Sequence, residues 1–379
     1  MTSIVRMVCC ALVTAATLGS PTGPASAAES TPGTVITAIP QPAGWRGMND
    51  GTVIDYWMTG IHGELQPASG ALFVPAGPPP PAGWPIIAYD HGTSGLGPGC
   101  GEETTADAPP VRGVMSDWVA QGFAVVAPDY LGLGRFDTGP HPYLGIHTEA
   151  TATIDLVRAA RAARPELSRT WAVFGGSQGG QAALGAGNLQ ASYAPELDFR
   201  GTIAVDPESD LEKVLPIAAP STPTPLDKWE ATGLIAGMLT GLNAAHPELN
   251  VDSYLSPHGR ELIATISRLC FPDIFPLVEG VSIGDLLSRP LADSTFDSTL
   301  THYMAVPTTG YNAPILLLLN ATDLVVPSPF HATLAAQLTA NAIDFQTVVG
   351  VNRHTQLDHQ MRDALSAFIT RIFAAPALT

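Results

Sequence analysis

Two strings in this chain fit the pattern Gly-x-Ser-x-Gly, which can present a serine hydroxyl for attack on a carbonyl carbon. In residues 171–187, WAVFGGSQGGQAALGAG, an apolar run breaks into glycines, presents Ser177, and continues into small, helix-compatible residues. This reads as a buried strand up to Phe174, a tight turn over residues 175–179, and a helix starting near Gly179. A serine on so sharp a turn sits in strained backbone, tolerated only where the residues two before and two after lack bulk. Gly175 and Gly179 meet that demand, and Gly180, Ala182, Ala183 and Gly185 would let the helix lie close against a sheet. The second match, Gly280-Val281-Ser282-Ile283-Gly284, has β-branched neighbours on both sides of the serine and leads into DLLSRP. No strand, elbow and close-packed helix surround Ser282, so Ser177 is the candidate nucleophile.

A serine nucleophile needs a base, an acid to orient that base, and donors for the developing oxyanion. The strand expected over residues 344–351 (DFQTVVGV) ends at Asn352-Arg353-His354 before a closing helix over 358–373, which makes His354 the candidate base. His359 is the alternative, although it falls in the first turn of that helix rather than in the loop. The strongest strand, 314–320 (PILLLLN), runs into ATDLVVP, so Asp323 is the candidate orienting carboxylate. Asp206, just past the strand 201–205 (GTIAV), is its rival. An early strand, 85–90 (PIIAYD), runs into His91-Gly92-Thr93-Ser94-Gly95; the backbone N–H groups of Thr93 and Gln178 are the expected oxyanion donors. His91 is expected to buttress that loop. Asp129, in the loop after 123–128 (FAVVAP), precedes the serine and is expected to fix loop structure. Two histidines five apart do not share a helix face and no third ligand accompanies them, so no metal site is expected, and this chemistry requires no cofactor.

The frame that must hold these groups is legible in the alternation of patterns. Residues 28–50, rich in Pro, Gly, Thr and Ala, read as an extended surface arm, and 52–58 with 70–75 as a hairpin-like pair of strands. Residues 111–122 have helical spacing, with Val111, Val114, Met115, Trp118 and Val119 on one face; 148–164 form a second helix in which Asp155 can pair with Arg158. Strands and helices alternate from 85 to 206, which predicts an open, mainly parallel sheet with helices on both faces and ligands at the carboxyl ends of its strands. Between 208 and 307 the strand pattern stops, and 229–242 and 261–270 read as helices. This predicts a helical cap inserted after the sixth strand, dividing the chain into a first core part (28–207), the cap (208–307) and a second core part (308–379). Most apolar cap residues are expected to form the cap's own core, and some to line an acyl pocket.

Residues 1–27 read as a secretory signal: Arg6, an apolar stretch too short to span a bilayer, and Ala25-Ser26-Ala27 as a cleavage site. Cys9 and Cys10 would leave with it. Cys100 and Cys270 would remain, an even count in an oxidising compartment, which predicts one disulfide with two separate thiols as the alternative. The formal net charge of the whole chain is −17. The mature chain would carry 16 basic against 34 acidic residues, −18. Such acidity argues against nucleic acid and anionic membrane surfaces as partners.

The order Ser177, Asp323, His354, preceded by a His-Gly loop, resembles that of the α/β-hydrolase superfamily. The GGSQGG elbow, NLQASYAPELDFRG downstream of it, the APDYLGLG loop, the cap, the NATDLVVP loop and the leader resemble more narrowly the secretory lipase family of secreted microbial lipases and esterases. The resemblance implies an α/β-hydrolase fold, a carboxylic-ester hydrolase secreted to the cell exterior, a small-molecule or lipid ester as substrate, and transient contact with a lipid interface if that ester is a lipid. A serine peptidase or an acyltransferase would use the same triad, and a non-catalytic secreted binding protein would ordinarily have lost one of its members.

Overall fold

The computed structural model describes residues 30–49, 51–105, 113–223 and 229–374; the leader and Val111 lie outside them. The strands are β1 (Val35–Gln41), β2 (Gly51–Thr59), β3 (Leu65–Phe73), β4 (Trp84–Asp90), β5 (Ala124–Pro128), β6 (Leu167–Gly176), β7 (Asp198–Val205), β8 (Ile315–Asn320) and β9 (Phe345–Gly350). They form one nine-stranded sheet in the order β1-β2-β3-β5-β4-β6-β7-β8-β9. Neighbours from β1 to β5 pair antiparallel, and from β5 to β9 all pairing is parallel. Parallel neighbours require crossovers. These are supplied by α1 (Val114–Ala120), α2 (Ile146–Ala163) and α3 (Gln178–Tyr193) before β7.

The parallel strands are apolar because they are covered on both faces. Every residue of β5 and β8 is buried. On one side Ile86, Val126 and Val173 pack under Ile154, Val157 and Ala183 of α2 and α3. On the other, Ile87, Val125, Ile203 and Leu316 meet Trp118 of α1 and residues from the last helix, among them Leu365 and Phe368. Each fully buried Leu or Ile of β8 contributes about 1.5–3 kcal/mol, so the strand that feeds Asp323 is firmly seated.

The structure overturns three expectations. The segment read as a surface arm contributes β1, an edge strand paired to β2 from Val35 to Gln41. Pro40 and a mostly exposed pattern hid it, and a sheet edge tolerates both. The helical insertion therefore follows the seventh strand, not the sixth. Gly185 does not bring α3 onto the sheet: an added Cβ there would meet Cγ1 of Ile146 on α2 at 2.7 Å, whereas one at Gly187 would meet Oγ1 of Thr202 on β7 at 2.0 Å.

Between β7 and β8 the chain passes through α4 (Leu211–Val214), α5 (Trp229–Ala245), α6 (Pro257–Ile266), α7 (Phe271–Ile274) and α8 (Ser294–Met304), with no strand among the described residues. Met238, Leu239, Leu242, Ile266, Ile274 and Leu300 form a core of this insertion that also takes in Leu96, Tyr143 and Leu144 of the frame. Cys100 and Cys270 form a disulfide, Cα atoms 5.2 Å apart. Beside it, Leu96 N donates to Leu269 O at 2.9 Å and Phe271 N to Ser94 O at 2.9 Å, so the insertion is stitched to the loop that carries Thr93. After β8 come α9 (Ser328–Ala340) and, after β9, α10 (His359–Ala374). No helix of the described residues is long and apolar enough to cross a membrane.

Candidate active site

At the carboxyl end of β6 the chain turns into α3 through Ser177, whose φ of 57° and ψ of −125° lie in a region that costs a non-glycine residue about 1–3 kcal/mol. The surroundings enforce that conformation. An added Cβ at Gly175 would sit 1.9 Å from Gly179 O, and one at Gly179 would sit 2.0 Å from Asp90 O, so the elbow is pressed against itself and against the end of β4. Ser177 N donates to Val205 O at 2.9 Å, while Ser177 O accepts from Gly180 N and Gln181 N and so starts the helix.

Two loops to the side of the elbow bring an acid and an imidazole together. Asp323, buried past β8, accepts from Val325 N at 2.8 Å and Val326 N at 3.2 Å through Oδ1. Its Oδ2 lies 2.6 Å from His354 Nδ1. Burial alone would lower the pKa of His354, but the hydrogen bond and charge of Asp323 outweigh it and raise the imidazole above its ordinary value. With Nδ1–H committed to Asp323, the Nε2 lone pair remains; that atom is buried and has no partner among the described residues. Ser177, His354 and Thr93 all line one cavity of about 1120 Å³, whose walls include Phe174, Leu234, Phe271 and Phe275. His359 opens α10, is exposed, and does not line that cavity.

Asp206 points elsewhere. Its carboxylate accepts from Asn320 N at 2.6 Å, Asn320 Nδ2 at 2.7 Å and Thr355 N at 2.7 Å, so it anchors the residue after His354 rather than the imidazole. Behind both acids stands His331 of α9, buried, with its Nδ1 4.0 Å from Asp206 Oδ1. Asp206, Asp323 and His331 bring polar atoms within 4.8 Å of one another. Burial holds the pKa of His331 down against the pull of the two acids. Sequence reading overlooked His331, although it lies in the first turn of the helix that the acid loop feeds.

Sequence reading also missed what holds Gln178. Its backbone N–H is at the first helical position, where no intrahelical acceptor exists. Its side-chain Nε2 lies 2.8 Å from His141 Nε2 and 2.7 Å from Glu149 Oε1, all three groups buried. His141 Nδ1 lies 2.9 Å from Leu131 O, an arrangement in which Nδ1–H donates and Nε2 accepts; burial drives this histidine down to about 3, so it is neutral. Burial pushes Glu149 up to about 8, and it also accepts from Leu144 N at 3.1 Å. The signal in the sequence is polar His141 and Glu149 on either side of the start of α2, a helix that also buries Thr148, Thr151, Thr153 and Asp155. Thr93 keeps its backbone N–H without an acceptor among the described residues, while its Oγ1 lies 2.8 Å from Tyr143 Oη.

The remaining candidates have local partners. His91 Nδ1 lies 2.7 Å from Gly92 O and its ring centroid 4.5 Å from that of Tyr130, as befits a buttress. Asp129 accepts from Ser69 Oγ at 2.8 Å and Glu103 N at 2.9 Å and so ties loops together. Ser282 Oγ donates to Asp285 Oδ2 at 2.8 Å in an exposed turn.

The model of the family described as secretory lipase matches residues 112–377, well over half of the chain. This chain belongs to the secretory lipase family. A probable inactive lipase of Mycobacterium tuberculosis is 24% identical over 397 residues, covering 94% of this chain and 82% of that one. Candida antarctica lipase A, 21% identical, superposes with a TM-score of 0.75 over 92% of this chain and 84% of that one. A rice cell wall degrading esterase LipA of Xanthomonas oryzae, also 21% identical, gives 0.66 over 91% and 96%. The fold is that of the α/β hydrolases, and the family is one of lipases and esterases, which cleave ester bonds. A relative named as inactive makes the chemistry of each family member a question of its particular residues.

Proposed function

We propose that this protein is a secreted serine carboxylic-ester hydrolase that works through Ser177, His354 and Asp323. The observation that supports this most directly is the 2.6 Å contact of Asp323 Oδ2 with His354 Nδ1 beside a strained Ser177 on the same cavity. In the first half-reaction His354 Nε2 takes the hydroxyl proton as Ser177 Oγ bonds to the ester carbonyl carbon. Asp323 holds the tautomer that leaves Nε2 free and stabilises the imidazolium. The backbone N–H groups of Gln178 and Thr93 receive the oxyanion, each worth on the order of 3 kcal/mol to the transition state. The tetrahedral intermediate collapses, the alcohol leaves with the proton from His354, and an acyl-Ser177 ester remains. Water, deprotonated by the same imidazole, then attacks that ester and releases the acid. The insertion between β7 and β8 acts as a cap: Leu234, Phe271 and Phe275 give the cavity apolar walls suited to neutral esters.

The test is hydrolysis of p-nitrophenyl esters from acetate to palmitate by the mature protein beside Ser177→Ala, His354→Ala and His359→Ala. Turnover by wild type, its loss in the first two variants and its retention in His359→Ala are expected, and the chain-length profile separates esterase from lipase. Undiminished turnover in Ser177→Ala would sink the proposal.

A further inference from the structure

Beside the cleft that holds Ser177 lies a second, smaller cavity of about 420 Å³. Its walls come from the insertion, the acid loop and the start of α9, with Leu211, Leu215, Ile235, Ile283, Pro327 and Phe330 among them. The two cavities share three lining residues, Glu208, Leu234 and Val325. Two of these are apolar. The third is a carboxylic acid, 8% exposed, whose two oxygens are absent from the fully enclosed, unpartnered polar atoms of the described residues and so still reach solvent in the cleft. Its backbone is fixed by Glu208 N donating to Ser177 O at 3.3 Å. A mostly buried acid whose carboxyl keeps its water at the junction of a polar reaction cleft and an apolar pocket serves no packing purpose, because leucine would fill that place at no desolvation cost.

We propose that Glu208 is the threshold between the Ser177 cleft and this apolar pocket, admitting the acyl chain of an ester when its carboxyl is protonated and resisting the chain when it is ionised. The proposal rests on the ester-hydrolase reading above and adds to it a specificity-determining residue and a place for the chain. A methylene run lying across an ionised carboxylate strips it of water without replacing the lost hydrogen bonds, which is costly; across a neutral carboxyl the same contact costs far less.

The charged and titratable groups around Glu208 set the pH at which this happens. Asp323, past β8, and His354, past β9, act on it from one side, and Tyr143, before α2, faces it from another. Asp206, Asp210 and Glu212 belong to its own segment, while Glu230 of α5 and Arg362 of α10 line the main cavity. Burial pushes Glu208 up, His354 pulls it down and Asp323 raises it again, leaving it at about 7. The threshold is thus open on the acid side of neutrality and closes on the alkaline side.

The experiment is the ratio of kcat/KM for p-nitrophenyl decanoate to that for p-nitrophenyl acetate, measured from about pH 5 to about pH 9. Both esters use Ser177 and His354, so titration of the base cancels in the ratio. If only the neutral form admits the chain, the ratio is flat below the midpoint and falls by about tenfold per pH unit above it. Glu208→Gln, which cannot ionise, holds the ratio near its acid value throughout. Ala231→Trp, which narrows the smaller cavity, lowers the ratio at every pH. A pH-independent ratio in wild type, which requires no variant to fold, overturns the proposal, and so does a slope that persists in Glu208→Gln. Turnover with a flat ratio refutes the threshold alone, whereas no turnover of either ester refutes the hydrolase reading beneath it.

Discussion

Replacing Glu149 by leucine and by glutamine separates two roles that a buried carboxyl could have. Glu149 accepts from one N–H of the Gln178 amide and from Leu144 N, and all three residues are buried. Leucine removes the acceptor and leaves two buried donors unpaired, at about 1–3 kcal/mol each, so Glu149→Leu is expected to lose about 2–6 kcal/mol of stability. Glutamine keeps the carbonyl acceptor. Because burial holds Glu149 at about 8, the wild-type group is neutral at pH 7, and the exchange replaces one neutral group by another with one further N–H to satisfy. Its cost is expected to stay within about 1–3 kcal/mol. Activity should divide the two variants more sharply. A displaced Gln178 moves an oxyanion donor, whose complete removal costs about 10²–10³ in kcat, so Glu149→Leu should lose about 10- to 100-fold in kcat with KM little changed, and Glu149→Gln should keep most of it. Urea unfolding followed by tryptophan fluorescence and kinetics on p-nitrophenyl butyrate measure both quantities. The sign with pH is also fixed. A carboxyl whose folded pKa is raised contributes stability that is complete below its unfolded value and is lost as pH rises through about 8, so the advantage of wild type over Glu149→Gln should shrink from about pH 5 to about pH 8. If Glu149→Leu keeps its kcat, or Glu149→Gln falls as far as Glu149→Leu, the carboxyl does not position the elbow.

Three further outcomes follow from the same geometry. Since Asp323 raises His354, the acid limb of the kcat/KM profile should lie above the ordinary histidine value of about 6.5, and Asp323→Asn should shift it downward while sharply lowering kcat. An unshifted limb in Asp323→Asn would refute the pairing. Gly179→Ala forces a Cβ to within 2.0 Å of Asp90 O, so backbone must move; a stability loss of at least about 1–3 kcal/mol and a fall in kcat are expected by denaturant titration and ester kinetics. Asp206→Ala strips the acceptor from Asn320 and from Thr355 N, and should reduce kcat by loosening His354 while leaving its pairing with Asp323 intact, visible as an imidazole resonance that still titrates above its ordinary value.

Strong local patterns make much of the frame legible in the sequence. The fully apolar runs of β5 and β8 suit buried parallel strands, and Ser177 stands out because its glycines and apolar approach satisfy one tight turn together. The loop residues Asp323 and His354 are legible as the first acid and the first histidine past late strands, and the fold brings these two side chains into contact. What escapes a sequence reading are features set by tertiary proximity. Edge strand β1 lacks the apolar alternation that marks strands with one face buried. His141, Glu149 and Gln178 are far enough apart in sequence that no local rule joins them. Asp206 cannot be told from a second orienting acid by its position after a strand, because only the packing of three loops turns its carboxylate toward Thr355 N. The groups that set the environment of Glu208 come from separate loops, those of Asp323, His354 and Tyr143.

The disulfide also governs what becomes of a damaged chain. Cys100 and Cys270 are 170 residues apart in sequence, and the segment they enclose contains α2, the elbow, β7 and the first half of the insertion. Ile217, 78% exposed, lies within it at the end of a short 3-10 turn, and exposed segments of this kind are preferred sites of proteolytic nicking. A single cut there, or in another loop between the two cysteines, leaves both pieces covalently tethered and every strand of the sheet uncut. Outside the cell, where the proposed function sets this protein, a nicked molecule would therefore persist as one particle, separating into two fragments only once denatured and reduced.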